Sequence, residues 1–297
     1  MSKHLIKQLV ESKARQDGLT ETGVKGVQLF RSTASLPCVP AVYEPCVIAI
    51  VSGAKEALLD GRRYVYDSSQ YMCCPMSMPV QAGTPAASAE NPLYGVFISL
   101  DLRMMTELAI ELDSAEGTIR TNSNAPLPQG IRLANWDAGF AEALLRLLQL
   151  GDSKVDTAVL GAARLRELYY AILKGEAGFF AKQAFAPANP VARTIVHLSN
   201  NLNSTITVDE LAERAGLSRA VFHRKFKQAT TMSPIQFIKS MRLNTAAMQI
   251  AGGITVSEAA LDVGYASPSQ FSREFKRLYG QSPRQWKDAQ NPTTAIA

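Results

Sequence analysis

The 297-residue sequence predicts an α+β protein of about two domains: a strand-rich N-terminal part followed by helices, then an all-α C-terminal part of two helix-turn-helix units. Three observations predict it. The first third alternates short apolar, β-branched runs with turn residues. The middle third repeats apolar residues every three or four positions. The last third carries one helical pattern twice.

Residues 1–23 are expected to form a helical or flexible lead segment. Val47–Val51 reads as a buried strand. Lys55–Leu59 and Arg63–Tyr66 flank Asp60-Gly61, a two-residue hairpin signal. Tyr71–Cys74 and Leu93–Leu100 are further strands, with Pro75, Pro79, Pro85 and Pro92 expected between them. Short strands with frequent turns suggest a sandwich or small barrel over residues 24–100.

Residues 102–112 predict a short helix. Trp136–Leu150 carries Phe140, Leu144, Leu145, Leu147 and Leu148, an apolar face too broad for a lone surface helix, which marks core or a dimer contact. In Val155–Lys174, Val155, Val159, Ala162, Leu165, Tyr169 and Ile172 recur at helical steps. Gly151-Asp152-Ser153 is the turn between these helices. Residues 175–190, with Gly175, Gly178, Pro187 and Pro190, read as the helix end and an interdomain linker. The expected domains are therefore 24–188 and 189–290, with a flexible tail at 291–297.

The repeat is the most informative feature. Thr207-Val-Asp-Glu210 recurs as Thr255-Val-Ser-Glu258, Gly216 as Gly264, Phe222-x3-Phe226-Lys227 as Phe271-x3-Phe275-Lys276, and Ser233-Pro234-x-Gln236 as Ser282-Pro283-x-Gln285. Thr-x-x-Glu is a capping box that starts a helix. Each glycine permits the left-handed stop. Ser218, and Ser267 with Pro268, start the second helix of each unit. Phe222 and Phe226, four apart, face inward against Leu211 and Leu217, and Phe271 and Phe275 face inward in copy two. This leaves Arg219, Ala220, His223, Arg224 and Lys227 outside in copy one, and Ser269, Ser272, Arg273 and Lys276 outside in copy two. Arg224 and Arg273 occupy equivalent outer positions, where a guanidinium can reach guanine O6 and N7 bidentately. Pro234–Ala251 predicts a joining helix about 27 Å long, of the order of the ~34 Å between successive major-groove faces.

Charge agrees. Residues 1–188 carry 18 Lys+Arg against 19 Asp+Glu, whereas residues 189–297 carry 13 against 7. No acidic residue occurs between Arg214 and Ser257. A basic field confined to one end attracts a polyanion. Double-stranded DNA is the expected partner. An architectural, non-selective DNA binder is disfavoured because the two outer faces differ.

The second unit, from Val263-Gly264-Tyr265 through Ser269-Gln270-Phe271-Ser272-Arg273 to Ser282-Pro283-Arg284-Gln285-Trp286, closely resembles the AraC/XylS family of bacterial transcription regulators. The resemblance implies a seven-helix domain that places two recognition helices in successive major grooves, with RNA polymerase as a further partner. Thr231 departs from it by standing where the second copy has Gly280. A β-branched residue is strained there, so the turn before Ser233 is expected to be shifted. Residues 29–31, 43–46, 51–55 and 61–71 resemble a regulatory domain of the same family. They imply a cupin-like β-barrel followed by helices, with a small-molecule effector or a homodimer contact.

Cupin-like barrels hold metals through histidines, but His4, His197 and His223 all lie outside the barrel segment, so no metal or other cofactor is expected. Glu44, Asp60, Asp67 and Asp101 show no paired catalytic spacing, and no Gly-x-Ser-x-Gly or P-loop occurs, so the chain is read as a non-enzyme. Cys46, Cys73 and Cys74 could serve redox or electrophile sensing if a thiolate were stabilised; buried, inert thiols are the commoner outcome. The cysteines form no Cys-x-x-Cys, and no run is long and apolar enough for a membrane span. A reducing, cytoplasmic setting is expected.

Overall fold

The structure, a computed structural model, describes residues 2–116, 130–186 and 189–289. The expected tail lies outside them. Helix α1 (Ser2–Lys13) precedes nine strands: β1 (Gly18–Glu21), β2 (Val27–Ser32), β3 (Leu36–Tyr43), β4 (Cys46–Ser52), β5 (Ala54–Leu59), β6 (Arg62–Asp67), β7 (Gln70–Cys74), β8 (Met78–Thr84) and β9 (Leu93–Ser99). Then come α2 (Leu102–Ala115), β10 (Arg132–Asn135), α3 (Ala138–Gln149), a 3-10 turn (Leu150–Asp152), α4 (Lys154–Lys174) and α5 (Gly178–Phe185). The C-terminal part is helical throughout its described residues: α6 (Pro190–Ser199), α7 (Val208–Arg214), α8 (Arg219–Thr230), α9 (Pro234–Ala251), α10 (Val256–Asp262), α11 (Pro268–Tyr279) and α12 (Pro283–Ala289).

The strands form two antiparallel sheets, ordered β1-β2-β9-β4-β7-β10 and β3-β8-β5-β6. Strand β4 explains its own sequence. Cys46, Ile48 and Ile50 pack with the second sheet, while Val47, Ala49 and Val51 pack beneath the helices. A strand buried on both faces needs a continuous apolar run. Asp60 (φ 49°) and Gly61 (φ 77°) turn the β5–β6 hairpin with two left-handed residues.

Several elements depart from the sequence reading. Strands β3 and β8 are hidden by Pro37, Pro40 and Pro79, which lie within them. Edge position makes proline tolerable in β3. In β8, pairing with β5 covers only Gln81–Gly83, so Pro79 stands beyond it. The lead segment holds α1, packed on α3, and β1, paired with β2. The expected linker contains α5, whose Phe180, Ala181, Ala184 and Phe185 are buried. Gly178 is there because a Cβ would lie 2.0 Å from the Leu173 carbonyl oxygen. The apolar stripe of α3 is core, since Phe140, Leu144, Leu147 and Leu148 are all buried. In α4 only the later part of the stripe is buried. Val155 and Val159, in its first turns, are both 71% exposed.

Candidate nucleic-acid interface

Both helix-turn-helix units are built alike from their caps inward. Thr207 Oγ1 accepts the Glu210 amide (3.2 Å), and Glu210 accepts the Thr207 amide (2.8 Å). Thr255 and Glu258 repeat this reciprocal pair, at 3.2 Å for each bond. Ser233 with Gln236 and Ser282 with Gln285 do the same before α9 and α12. Four caps of one design satisfy amide donors that a helix N-terminus leaves unpaired. One cap differs: Ser267 accepts the Gln270 amide, whereas Ser218 makes no side-chain cap bond.

Gly216 (φ 66°) and Gly264 (φ 83°) close α7 and α10 in the left-handed conformation. Behind α8, Phe222 and Phe226 are fully buried, with ring centroids 5.4 Å apart, and Phe226 meets Phe237 of α9 edge-on at 5.2 Å. Behind α11, Phe271 and Phe275 are fully buried 5.5 Å apart, and Phe275 packs on Tyr279 and Trp286. The opposite faces are solvent-exposed. They present Arg219, Ala220, His223, Arg224 and Lys227 on α8, and Ser269, Arg273 and Lys276 on α11, with Ser272 half-buried.

Their electrostatics suit an anion. Among the described residues His223, Arg224, Lys227, Arg273 and Lys276 make no ion pair. Arg219 pairs with Asp209 of α7 at 3.1 Å, with both side chains about two-thirds exposed, so the pair is weak and displaceable. The carboxylate of α11, Glu274, is engaged elsewhere: Tyr265 donates to it at 2.9 Å, Gln270 at 3.2 Å and Lys239 of α9 at 3.3 Å. Burial opposes its ionisation, but these hydrogen bonds outweigh burial and hold its carboxyl below the ordinary range.

Thr231 overturns the expected shift. It adopts φ 68° beside φ 75° at Gly280, and each amide bonds the carbonyl four residues back, Lys227 at 2.9 Å and Lys276 at 2.8 Å. The two turns are equivalent, and the first keeps a β-branched residue in the left-handed region.

A contact with no signal in the sequence joins the two parts of the chain. Asn244 of α9 is 4% exposed, and its amide donates to the Ala41 and Val80 carbonyls of β3 and β8, each at 2.8 Å. Its own oxygen accepts from Tyr279 Oη at the end of α11 (2.6 Å). The helix between the reading heads is thereby tied both to the second head and to an edge of the smaller sheet.

The remaining sequence candidates lie elsewhere. Cys46, Cys73 and Cys74 are fully buried free thiols. Cys46 and Cys74 face each other across β4 and β7, while Cys73 points to the opposite side of the sheet. Burial pushes Cys46 and Cys74 far up and Cys73 up to about 12. These surroundings suppress the thiolate that a sensor requires, which counts against the redox role. His197 faces Asn201, whose amide also donates to the His197 carbonyl at 2.7 Å, a structural contact at the end of α6. No group of three or more metal-ligating side chains occurs among the described residues. No described helix is long and apolar enough to cross a membrane.

Two capped reading heads with cationic outer faces, joined by one helix and docked on a two-sheet domain, define a class of DNA-binding regulator. A family model for the N-terminus of AraC-type transcriptional regulators matches residues 23–179, and a helix-turn-helix domain model matches residues 211–289. The chain belongs to the AraC-type family of transcription regulators.

Among curated relatives, an uncharacterized HTH-type transcriptional regulator of Haemophilus influenzae is 41% identical over 81 residues, 27% of each chain. The transcriptional activator RhaS of Yersinia pestis is 34% identical over 88 residues, 29% of this chain and 32% of its own. These matches span about a third or less of the relatives' own length. The crystal structure of an apo single-site variant of ToxT from Vibrio cholerae shares the fold over 93% of this chain and 100% of its own, with a TM-score of 0.57 at 13% identity.

Proposed function

We propose that the chain binds specific promoter DNA by placing α8 and α11 in successive major-groove segments, and that its N-terminal domain modulates this through a small-molecule effector. Arg224 and Arg273 read bases, helped by Ala220, His223, Ser269 and Ser272, while Arg219, Lys227 and Lys276 hold phosphates. The observation that carries this reading is the matched pair of guanidinium groups, Arg224 and Arg273, which make no ion pair among the described residues and stand opposite two buried phenylalanines on the second helix of each unit. Support for an effector comes from ToxT, which has been crystallised with an unsaturated fatty acid bound. The exposed Val155 and Val159 of α4 offer an apolar stripe for a homodimer. RNA polymerase is the partner of the DNA-bound state.

The test is selection of fragments from a random duplex pool, followed by titration of the enriched site. Arg273→Ala and Arg224→Ala should each cost about 1–3 kcal/mol on that site and less on random DNA. Equal losses on both would reduce these residues to phosphate contacts. No enrichment would leave a non-selective DNA-coating protein.

A further inference from the structure

The two reading heads are held to the joining helix α9 in different ways. The first head meets it through apolar surface, with Phe226 edge-on to Phe237, and through the half-exposed Arg242, which donates to the Ser204 carbonyl at 2.7 Å. The second head and its closing helix α12 are fastened by directional bonds at three successive levels of α9. Lys239 donates to Glu274 at 3.3 Å, Tyr279 Oη to Asn244 at 2.6 Å, and Trp286 Nε1 to the Ala247 carbonyl at 3.1 Å. Apolar contact is non-directional, whereas a hydrogen bond weakens steeply once its angle is lost.

Asn244 is the anchor that also bonds the N-terminal domain. Its amide has two donor hydrogens and an acceptor oxygen, and the surroundings use all of them. The Ala41 and Val80 carbonyls can only accept, so they face the NH2 group, and the oxygen receives Tyr279. One turn further along α9, Met248 Sδ accepts from the Val42 amide at 3.2 Å, and Val39 packs against the core of the second head. These contacts cover neither reading face: Arg224 and Arg273 stay exposed with the two domains docked. Burying a side-chain amide costs free energy that an apolar residue of similar size would avoid. What a saturated buried amide supplies instead is one definite geometry.

We propose that Asn244 is a positioning residue for DNA recognition: with Tyr279 it fixes where α11 stands relative to α8, and through the β3 and β8 carbonyls it lets the N-terminal domain share in setting which half-site spacing the chain accepts. The inference rests on the reading of α8 and α11 as heads for successive major-groove segments. One base pair added between the half-sites displaces the second by about 3.4 Å and turns it by roughly 35°. To follow it, α11 must break the bonds at Asn244 or abandon base contacts. With those bonds gone, α11 follows at lower cost.

The experiment takes the site enriched by fragment selection and titrates the full chain with three duplexes: that site, and the same site with one base pair inserted or deleted between the half-sites. The parent chain should bind the altered duplexes at least about tenfold more weakly, since a displaced half-site loses several base contacts. Tyr279→Phe leaves one bond fewer to break and should narrow that ratio about fivefold, the value of one net hydrogen bond. Asn244→Leu, which removes all three bonds, should narrow it further. Asn244→Asp keeps an acceptor for Tyr279 but no donor for the two carbonyls, and should narrow it as well. Ratios measured on one preparation cancel any loss of folded protein, so a merely structural role would lower binding to all three duplexes alike and leave the ratio unmoved. An unchanged ratio in both Tyr279→Phe and Asn244→Leu, or a parent chain indifferent to spacing, overturns the inference while leaving site-specific recognition standing. An unchanged ratio in Asn244→Asp alone overturns the N-terminal domain's share. Failure to enrich any site overturns the underlying reading and this inference with it.

Discussion

At the residue scale, two side chains sit where elementary chemistry disfavours them. Lys55 is pulled down from 10.5 to about 8 by burial, against the smaller raising influence of Cys46 and Cys38. A base with a depressed folded-state pKa withholds stability once the unfolded chain is protonated. Lys55→Met should therefore stabilise the chain by up to about 3 kcal/mol at pH 7, at ~1.4 kcal/mol per tenfold loss of proton affinity. The gain is full below pH 8, shrinks as pH rises toward 10.5 and is gone above it. Urea titrations across that window check it, and a pH-independent gain would point to packing alone. Thr231 is the second case: a left-handed β-branched residue costs roughly 1–2 kcal/mol, of which glycine returns about half through its looser unfolded state. Its hydroxyl is also buried without a partner. Thr231→Gly should raise stability by about 1 kcal/mol, measured as a higher urea midpoint at unchanged slope. The residue identity was legible in the repeat, but that the backbone accepts the strain rather than moving was not.

At the element scale, the two helix-turn-helix glycines look interchangeable in sequence and differ in the fold. A Cβ at Gly216 meets nothing within 4 Å, whereas at Gly264 it would lie 2.8 Å from the Leu202 carbonyl oxygen and 2.9 Å from that of Asn203. Gly216→Ala should cost about 1 kcal/mol for its backbone conformation alone. Gly264→Ala should cost about 2–4 kcal/mol, because rigid backbone must also move. Thermal unfolding of the two variants decides this, and equal losses would mean the Leu202–Asn203 loop yields freely. The recognition helices were readable because capping boxes and Phe pairs are local signals with fixed spacing. Strands β3 and β8 were not, since their prolines carry the opposite local signal and only sheet position makes them acceptable. Helix α5 was masked likewise, by a glycine whose reason is a close approach to the Leu173 carbonyl.

At the scale of the whole molecule, the junction is the decisive feature. Asn244 joins α9, the β3 and β8 carbonyls and the Tyr279 hydroxyl in one buried set of hydrogen bonds. Asn244→Ala strands two carbonyls and a phenol at about 1–3 kcal/mol for each group left unpaired. It should destabilise the junction selectively. One cooperative thermal transition would become two, and calorimetry of the full chain checks this; a single transition at a slightly lower midpoint would assign Asn244 to local packing. The sequence by itself determined the tandem reading heads, their inward phenylalanines and outward arginines, and the core strand β4. Each of these depends on neighbours within a few residues, or on the period of a strand or helix. Only the tertiary structure decided that Lys55 is buried between two sheets with no carboxylate paired to it among the described residues, and that an asparagine of the joining helix meets strands 203 and 164 positions away in the chain. Those facts depend on which distant segments come to lie side by side, and spacing along a single chain carries no record of that.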